Sequence, residues 1–107
     1  MLNIIIEKTE RIGMEYLTGL GFPEDQVKPL LEQARKDLET EFTRLEELRT
    51  APDPNAEKLD KALHAIKGLL FNLGNHELAE RLEAIRHEQD VDRMLRDLDT
   101  VLREAAR

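Results

Sequence analysis

One short segment of the chain combines three residue types that could do chemistry together. His64 is followed by Lys67 three residues later and by Gly68 four residues later. Residues three and four positions apart are neighbours on a helix surface. The spacing therefore sets a nucleophilic imidazole beside an ammonium group, and it removes the side chain that would crowd the ring. Because glycine inside a helix costs about 1 kcal/mol relative to alanine, Gly68 requires a reason.

The helix that carries these residues is predicted to have two different faces. With His64 at zero degrees and about 100° per residue, the opposite half is apolar and contains Leu59, Ala62, Leu63, Ile66, Leu69, Leu70 and Leu73. The His64 side contains Glu57, Asp60, Lys61, Lys67, Gly68 and Phe71. We therefore expect His64 on the outer face of the helix rather than in the core. Phe71 is expected either to tuck under the neighbouring helix or to be exposed as a docking contact.

The remaining apolar residues recur at steps of three and four, which predicts further amphipathic helices. The expected helices cover residues 2–20, 24–49, a segment starting after Asp53 or Asn55 and ending near Leu73, a segment after Asn75 ending near His87, and a segment after Asp90. Asn3, Asn75 and Asp90 are expected as N-caps. Pro29 is expected in the first turn of the second helix, and Gly74 just past the end of the third, in left-handed geometry.

The short connections between these segments predict antiparallel neighbours. We therefore expect an all-α protein, an antiparallel up-down four-helix bundle with an additional N-terminal helix, and a single domain spanning residues 1–107.

Composition excludes several classes of function. The formal net charge is −7, which argues against nucleic acid and against anionic membrane surfaces. There is no cysteine, so disulfides and thiolate metal sites are excluded. The spacings of His64, His76 and His87 fit no common metal-ligand pattern, and no metal site is predicted. No signal peptide or membrane-spanning run is visible, so a cytoplasmic protein is expected.

The run His64-x-x-Lys67-Gly68, followed by Leu73-Gly74, resembles the signature of histidine phosphotransfer (HPt) domains of two-component phosphorelays. The resemblance implies that His64 accepts the phosphoryl group, that Lys67 stabilises its oxygens, and that Gly68 leaves room for the phosphate and the partner. It also implies that a polar side chain of the following helix, Arg86 or Glu83, orients the histidine.

The chain departs from this family at the residues after the glycine. The family commonly has small residues there, whereas this chain has Leu69, Leu70 and Phe71. Phe71, Lys61 and Asp60 share the His64 side and are expected to contribute to partner docking.

The chemistry expected at His64 requires a partner. The sequence contains no nucleotide-binding loop and no acidic cluster typical of a Mg²⁺ site. We therefore expect a phosphoryl carrier rather than an enzyme, without a cofactor of its own. Its partners would be receiver domains of response regulators or hybrid histidine kinases, which supply the aspartyl phosphate and Mg²⁺.

Two alternatives remain open from the sequence. One is a helical adaptor that binds receiver or kinase domains without phosphotransfer. The other is the phosphoacceptor module of a chemotaxis-type kinase.

Overall fold

A computed structural model describes residues 1–107 and contains five α-helices and no strand, which confirms the all-α prediction. The helices are α1 (Leu2–Gly19), α2 (Glu24–Thr50), α3 (Ala56–Asn72), α4 (His76–Ile85) and α5 (Val91–Ala105). No helix is both long enough and apolar enough to cross a membrane.

Most helix ends follow the capping residues that the sequence predicts. The side chain of Asn55 accepts a hydrogen bond from the Lys58 N–H, and Asn75 and Asp90 cap α4 and α5 in the same way. Gly74 has φ +83°, the left-handed conformation expected after α3. The prediction for Asn3 is wrong, because α1 begins at Leu2, two residues before the start that an Asn3 cap would give, with Met1 as its N-cap and no side-chain hydrogen bond.

The position predicted for Pro29 is also wrong. Helix α2 begins at Glu24, so Pro29 lies in its second turn rather than its first. Proline there cannot donate the backbone hydrogen bond to the carbonyl four residues before it. The helix continues through this point because Val27 and Leu31, on either side of the proline, are buried in the core.

A single apolar cluster of 21 buried residues draws on all five helices. Its largest fully buried side chains include Phe42, Leu38 and Leu45 of α2 and Met94 and Leu98 of α5. Burying a side chain of this size contributes about 1.5–3 kcal/mol, so the cluster is the main source of stability.

Each helix packs against the next one along the chain, and α1 also contacts α5. Helix α3 therefore contacts both α2 and α4. This arrangement covers the apolar stripe of α3 and leaves its polar face at the surface, where His64 is exposed.

Candidate functional site

The two faces of α3 lie where the helical wheel places them. Leu59, Leu63, Ile66 and Leu70 are completely buried. His64 is exposed on the opposite side. The prediction that this histidine lies outside the core is confirmed.

The imidazole of His64 forms no hydrogen bond or ion pair with any other residue of the chain. The expectation that Glu83 or Arg86 orients the ring is therefore not met, because both side chains bind other partners. The ring is fixed to the protein only through its own side-chain bonds, and both nitrogens remain available to a molecule arriving from outside.

Gly68 is open to solvent on its side-chain side. A Cβ atom built at this position would have no neighbouring atom within 4 Å, and that includes the imidazole of His64. The expectation that Gly68 prevents crowding of the ring by its own helix is therefore wrong. Nothing inside the molecule therefore requires glycine at this position. No side chain of the protein fills the space beside Gly68, so a molecule from outside the chain can occupy it.

Lys67 belongs to a charged network that joins α3 to α4. Its Nζ lies 2.9 Å from Oε2 of Glu83, and the same carboxylate oxygen lies 3.1 Å from Nη1 of Arg86. The Nη2 of Arg86 lies 3.2 Å from Oδ2 of Asp60. The network therefore begins at Lys67 on α3 and continues through Glu83 of α4 and Arg86 at the end of that helix. It returns to α3 at Asp60, one turn before His64.

The carboxylates of this network are held in their charged forms. The hydrogen bonds from Lys67 and then Arg86 lower the pKa of Glu83. For Asp60, partial burial opposes ionisation, but the hydrogen bonds from Arg86 and the His87 N–H outweigh it and lower the pKa of the carboxyl group. Both carboxylates are therefore ionised throughout the neutral range.

Asp60 has a structural role that the sequence does not reveal. His87 ends the turn after α4 with φ +67°, a left-handed conformation that is uncommon for a residue other than glycine. The His87 N–H donates a 2.8 Å hydrogen bond to Oδ1 of Asp60. The docking role of Asp60 stays a prediction, and its carboxylate fixes the end of α4 against α3. Lys61, the other charged candidate for docking, is exposed and lies 3.6 Å from Glu57.

Phe71 is exposed, with 54% of its surface accessible, so it is not tucked under the neighbouring helix; its role as a docking contact stays a prediction. Its ring is nevertheless supported. It lies against the imidazole of His76, with ring centroids 4.5 Å apart, and His76 in turn meets the edge of Tyr16 at 5.5 Å. Three aromatic rings from α3, α4 and α1 thus form one row. The sequence alone indicates no role for His76.

A groove beside Phe71 lies between α3 and α4. The residues that line it are Lys67, Gly68, Phe71, Asn72, Ala79, Glu80 and Glu83. No three histidine, aspartate or glutamate side chains converge in a way that could hold a metal ion. The arrangement thus offers an unpartnered imidazole, a lysine three residues along the same helix that is paired with Glu83, and an open surface with one apolar ring.

Comparisons of this chain with protein-family models, with curated proteins and with solved structures give no significant match.

Proposed function

We propose that the protein is a histidine phosphotransfer protein that carries a phosphoryl group on His64 between receiver domains of a two-component phosphorelay. The observation that supports this most strongly is the combination of an unpartnered, exposed His64 with a glycine one turn away that nothing in the molecule explains. A phosphoryl group and the surface of a partner protein would both use that space.

The nucleophile in the transfer is the neutral imidazole of His64. Its unprotonated nitrogen attacks the phosphorus of an aspartyl phosphate on the partner, a nitrogen–phosphorus bond forms, and the bond from phosphorus to the aspartyl oxygen breaks. The partner's carboxylate leaves with that electron pair, and the other ring nitrogen keeps its proton. Reversal of this step passes the group to a second partner. Such transfers depend mainly on positioning and on charge stabilisation.

Each partner would supply the remainder of the site. In this proposal the receiver domain contributes the aspartate and its Mg²⁺, while Lys67 adds one positive charge beside the phosphoryl oxygens. Phe71, Lys61 and Asp60 would form part of the docking surface. The family resemblance also supports an antiparallel four-helix bundle of α2–α5, with α1 as the additional helix.

The proposal is tested by mixing the protein with a receiver domain that carries labelled aspartyl phosphate. We expect the wild-type protein to take up acid-labile label and His64→Gln to take up none. His87→Asn is the matched control, since the His87 side chain is also exposed, asparagine tolerates the left-handed conformation at this position, and the backbone N–H that binds Asp60 is kept. Equal labelling of His64→Gln and the wild type would exclude this function.

A second candidate is an adaptor that binds receiver or kinase domains without phosphotransfer. The observation that favours it is Phe71, an exposed ring that packs against His76 and lies in a segment where the family commonly has small residues. The adaptor predicts that Phe71→Ala abolishes binding of a receiver domain, that His64→Gln binds normally, and that the wild type takes up no label. The carrier predicts label on the wild type and weaker, slower uptake by Phe71→Ala.

A further inference from the structure

The ammonium group of Lys67 does not move freely on the surface. Its side chain is only 27% exposed, and its Nζ lies 2.9 Å from the carboxylate of Glu83 on the next helix. A lysine side chain has four rotatable bonds and, without a partner, samples many positions. The contact with Glu83 therefore fixes the position of the positive charge that Lys67 carries, three residues from His64 on the same helix.

Glu83 is itself supported from behind. Arg86, whose side chain is only 13% exposed, contacts Glu83 and also contacts Asp60 on α3. Asp60 in turn accepts a hydrogen bond from the His87 N–H. The carboxylate that holds Lys67 is thus connected back to the helix that carries His64, and the charge of Arg86 offsets the charge of Glu83.

An ammonium group has three donors, and the contact with Glu83 occupies one of them. The other donors remain available to oxygen atoms of an anion bound at His64. The alternative role for Glu83 is competition, in which the carboxylate withdraws Lys67 from that anion. The neutralising contact from Arg86 favours positioning over competition, because it weakens the repulsion that Glu83 would exert on an incoming phosphoryl group.

We propose that Glu83 is a positioning residue, which holds Lys67 ready for the phosphoryl group on His64 without touching that group itself. This inference rests on the proposed phosphotransfer function. It assigns to α4 a role that differs from the expected one, since Glu83 orients the lysine and not the histidine.

The test measures single-turnover transfer from a phosphorylated receiver domain over a range of receiver concentrations. We expect Glu83→Ala to lower the rate at saturating receiver about tenfold, as the loss of a supporting side chain does at other sites. The receiver concentration that gives half the maximal rate should stay unchanged, because Glu83 is not expected to bind the partner. Glu83→Gln keeps an oxygen acceptor for Lys67 and should recover part of the rate.

Glu77→Ala is the matched control. Glu77 lies on the same helix as Glu83, is exposed, forms no ion pair and does not line the groove, and its removal changes the net charge by the same amount. We expect the transfer rate of this variant to equal that of the wild type. A loss of rate as large as that of Glu83→Ala would show that the overall negative charge of α4 matters and that positioning does not.

A double mutant separates positioning from a merely structural role. If Glu83 acts through Lys67, then Glu83→Ala should cause no further loss of rate in a Lys67→Ala background. Additive losses, or faster transfer by Glu83→Ala alone, would overturn the proposal. Wild-type protein that takes up no label would overturn the proposed function and this inference together, whereas a normal wild type with an unaffected Glu83→Ala would overturn the inference alone.

Discussion

The end of α3 and the outer face of α3 each contain a glycine, and the two glycines have opposite surroundings. At the end, Gly74 has a positive φ, and a Cβ atom placed there would clash with Cγ of Tyr16. On the face, a Cβ atom at Gly68 would meet nothing within 4 Å. The first glycine is required by the fold, and the second is not.

Asn75 and His64, one polar residue from each region, differ in the same way. Beside Gly74, the buried Asn75 donates a 3.0 Å hydrogen bond to Thr9, and Thr9 donates to the Ile5 carbonyl. On the face, His64 has no partner within the chain. Polar groups that serve the fold are expected to be satisfied inside it. An open imidazole beside an unneeded glycine is therefore better explained by an interaction with another molecule.

The largest effect is expected at Gly74, at the end of α3. Gly74→Ala should lower the free energy of unfolding by about 2–4 kcal/mol, because it combines a strained backbone conformation with a clash against Tyr16. Denaturant unfolding measures this change. Gly21→Ala is the control, since Gly21 also has a positive φ but would have nothing within 4 Å of an added Cβ atom. An equal loss of stability in both variants would show that the clash with Tyr16 contributes nothing to the effect of Gly74→Ala.

An effect of opposite sign is expected on the open face. Gly68→Ala should raise the free energy of unfolding by up to about 1 kcal/mol, because alanine favours the helix and meets no clash. The same change should slow phosphoryl transfer, since the methyl group occupies space that the partner and the phosphate need.

Gly19→Ala is the matched control for Gly68→Ala. Gly19 is also helical and also has no neighbour within 4 Å of an added Cβ atom. Its replacement should leave transfer unchanged. A Gly68→Ala protein that is less stable than the wild type, or that transfers at the wild-type rate, would contradict the role proposed for Gly68.

The smallest effect on stability is expected when the pH is lowered. The lowered pKa of Asp60 means that its ionised form stabilises the folded state. This contribution is complete above the ordinary aspartate pKa of about 3.9 and is lost as pH falls through the lower folded-state value. The stability difference between the wild type and Asp60→Asn should therefore be constant near neutral pH and shrink below about pH 4, by about 1 kcal/mol or less. Urea unfolding at several pH values measures it, and a difference that grows on acidification would contradict the network.

Local features of the fold could be predicted from the sequence because they depend on a few adjacent residues. Asn75 and Asp90 cap the helices that follow them, Asn55 is one of the two caps expected for α3, and Gly74 adopts the expected left-handed conformation. The exposed position of His64 also followed from the spacing of the leucines around it. In each case the deciding interaction lies within about one turn of the residue.

Features that depend on contacts between helices could not be predicted. The pairing of Lys67 with Glu83 and of Asp60 with Arg86 is set by the register of α3 against α4, which no local pattern encodes. Pro29 is tolerated in the second turn of α2 because the core holds its neighbours. The left-handed conformation at position 87 could not be predicted, because the residue there is histidine and not glycine. The hydrogen bond from the His87 N–H to Asp60 explains this conformation.

The location of the transferred group tests the central claim most directly. After incubation with a phosphorylated receiver domain, mass spectrometry of peptides kept at neutral to basic pH identifies the residue that carries the phosphoryl group. The proposed function predicts that it is found on His64, on the open face of α3, and on neither His76 nor His87. A phosphoryl group on either of the other histidines, or on none of the three, would contradict it.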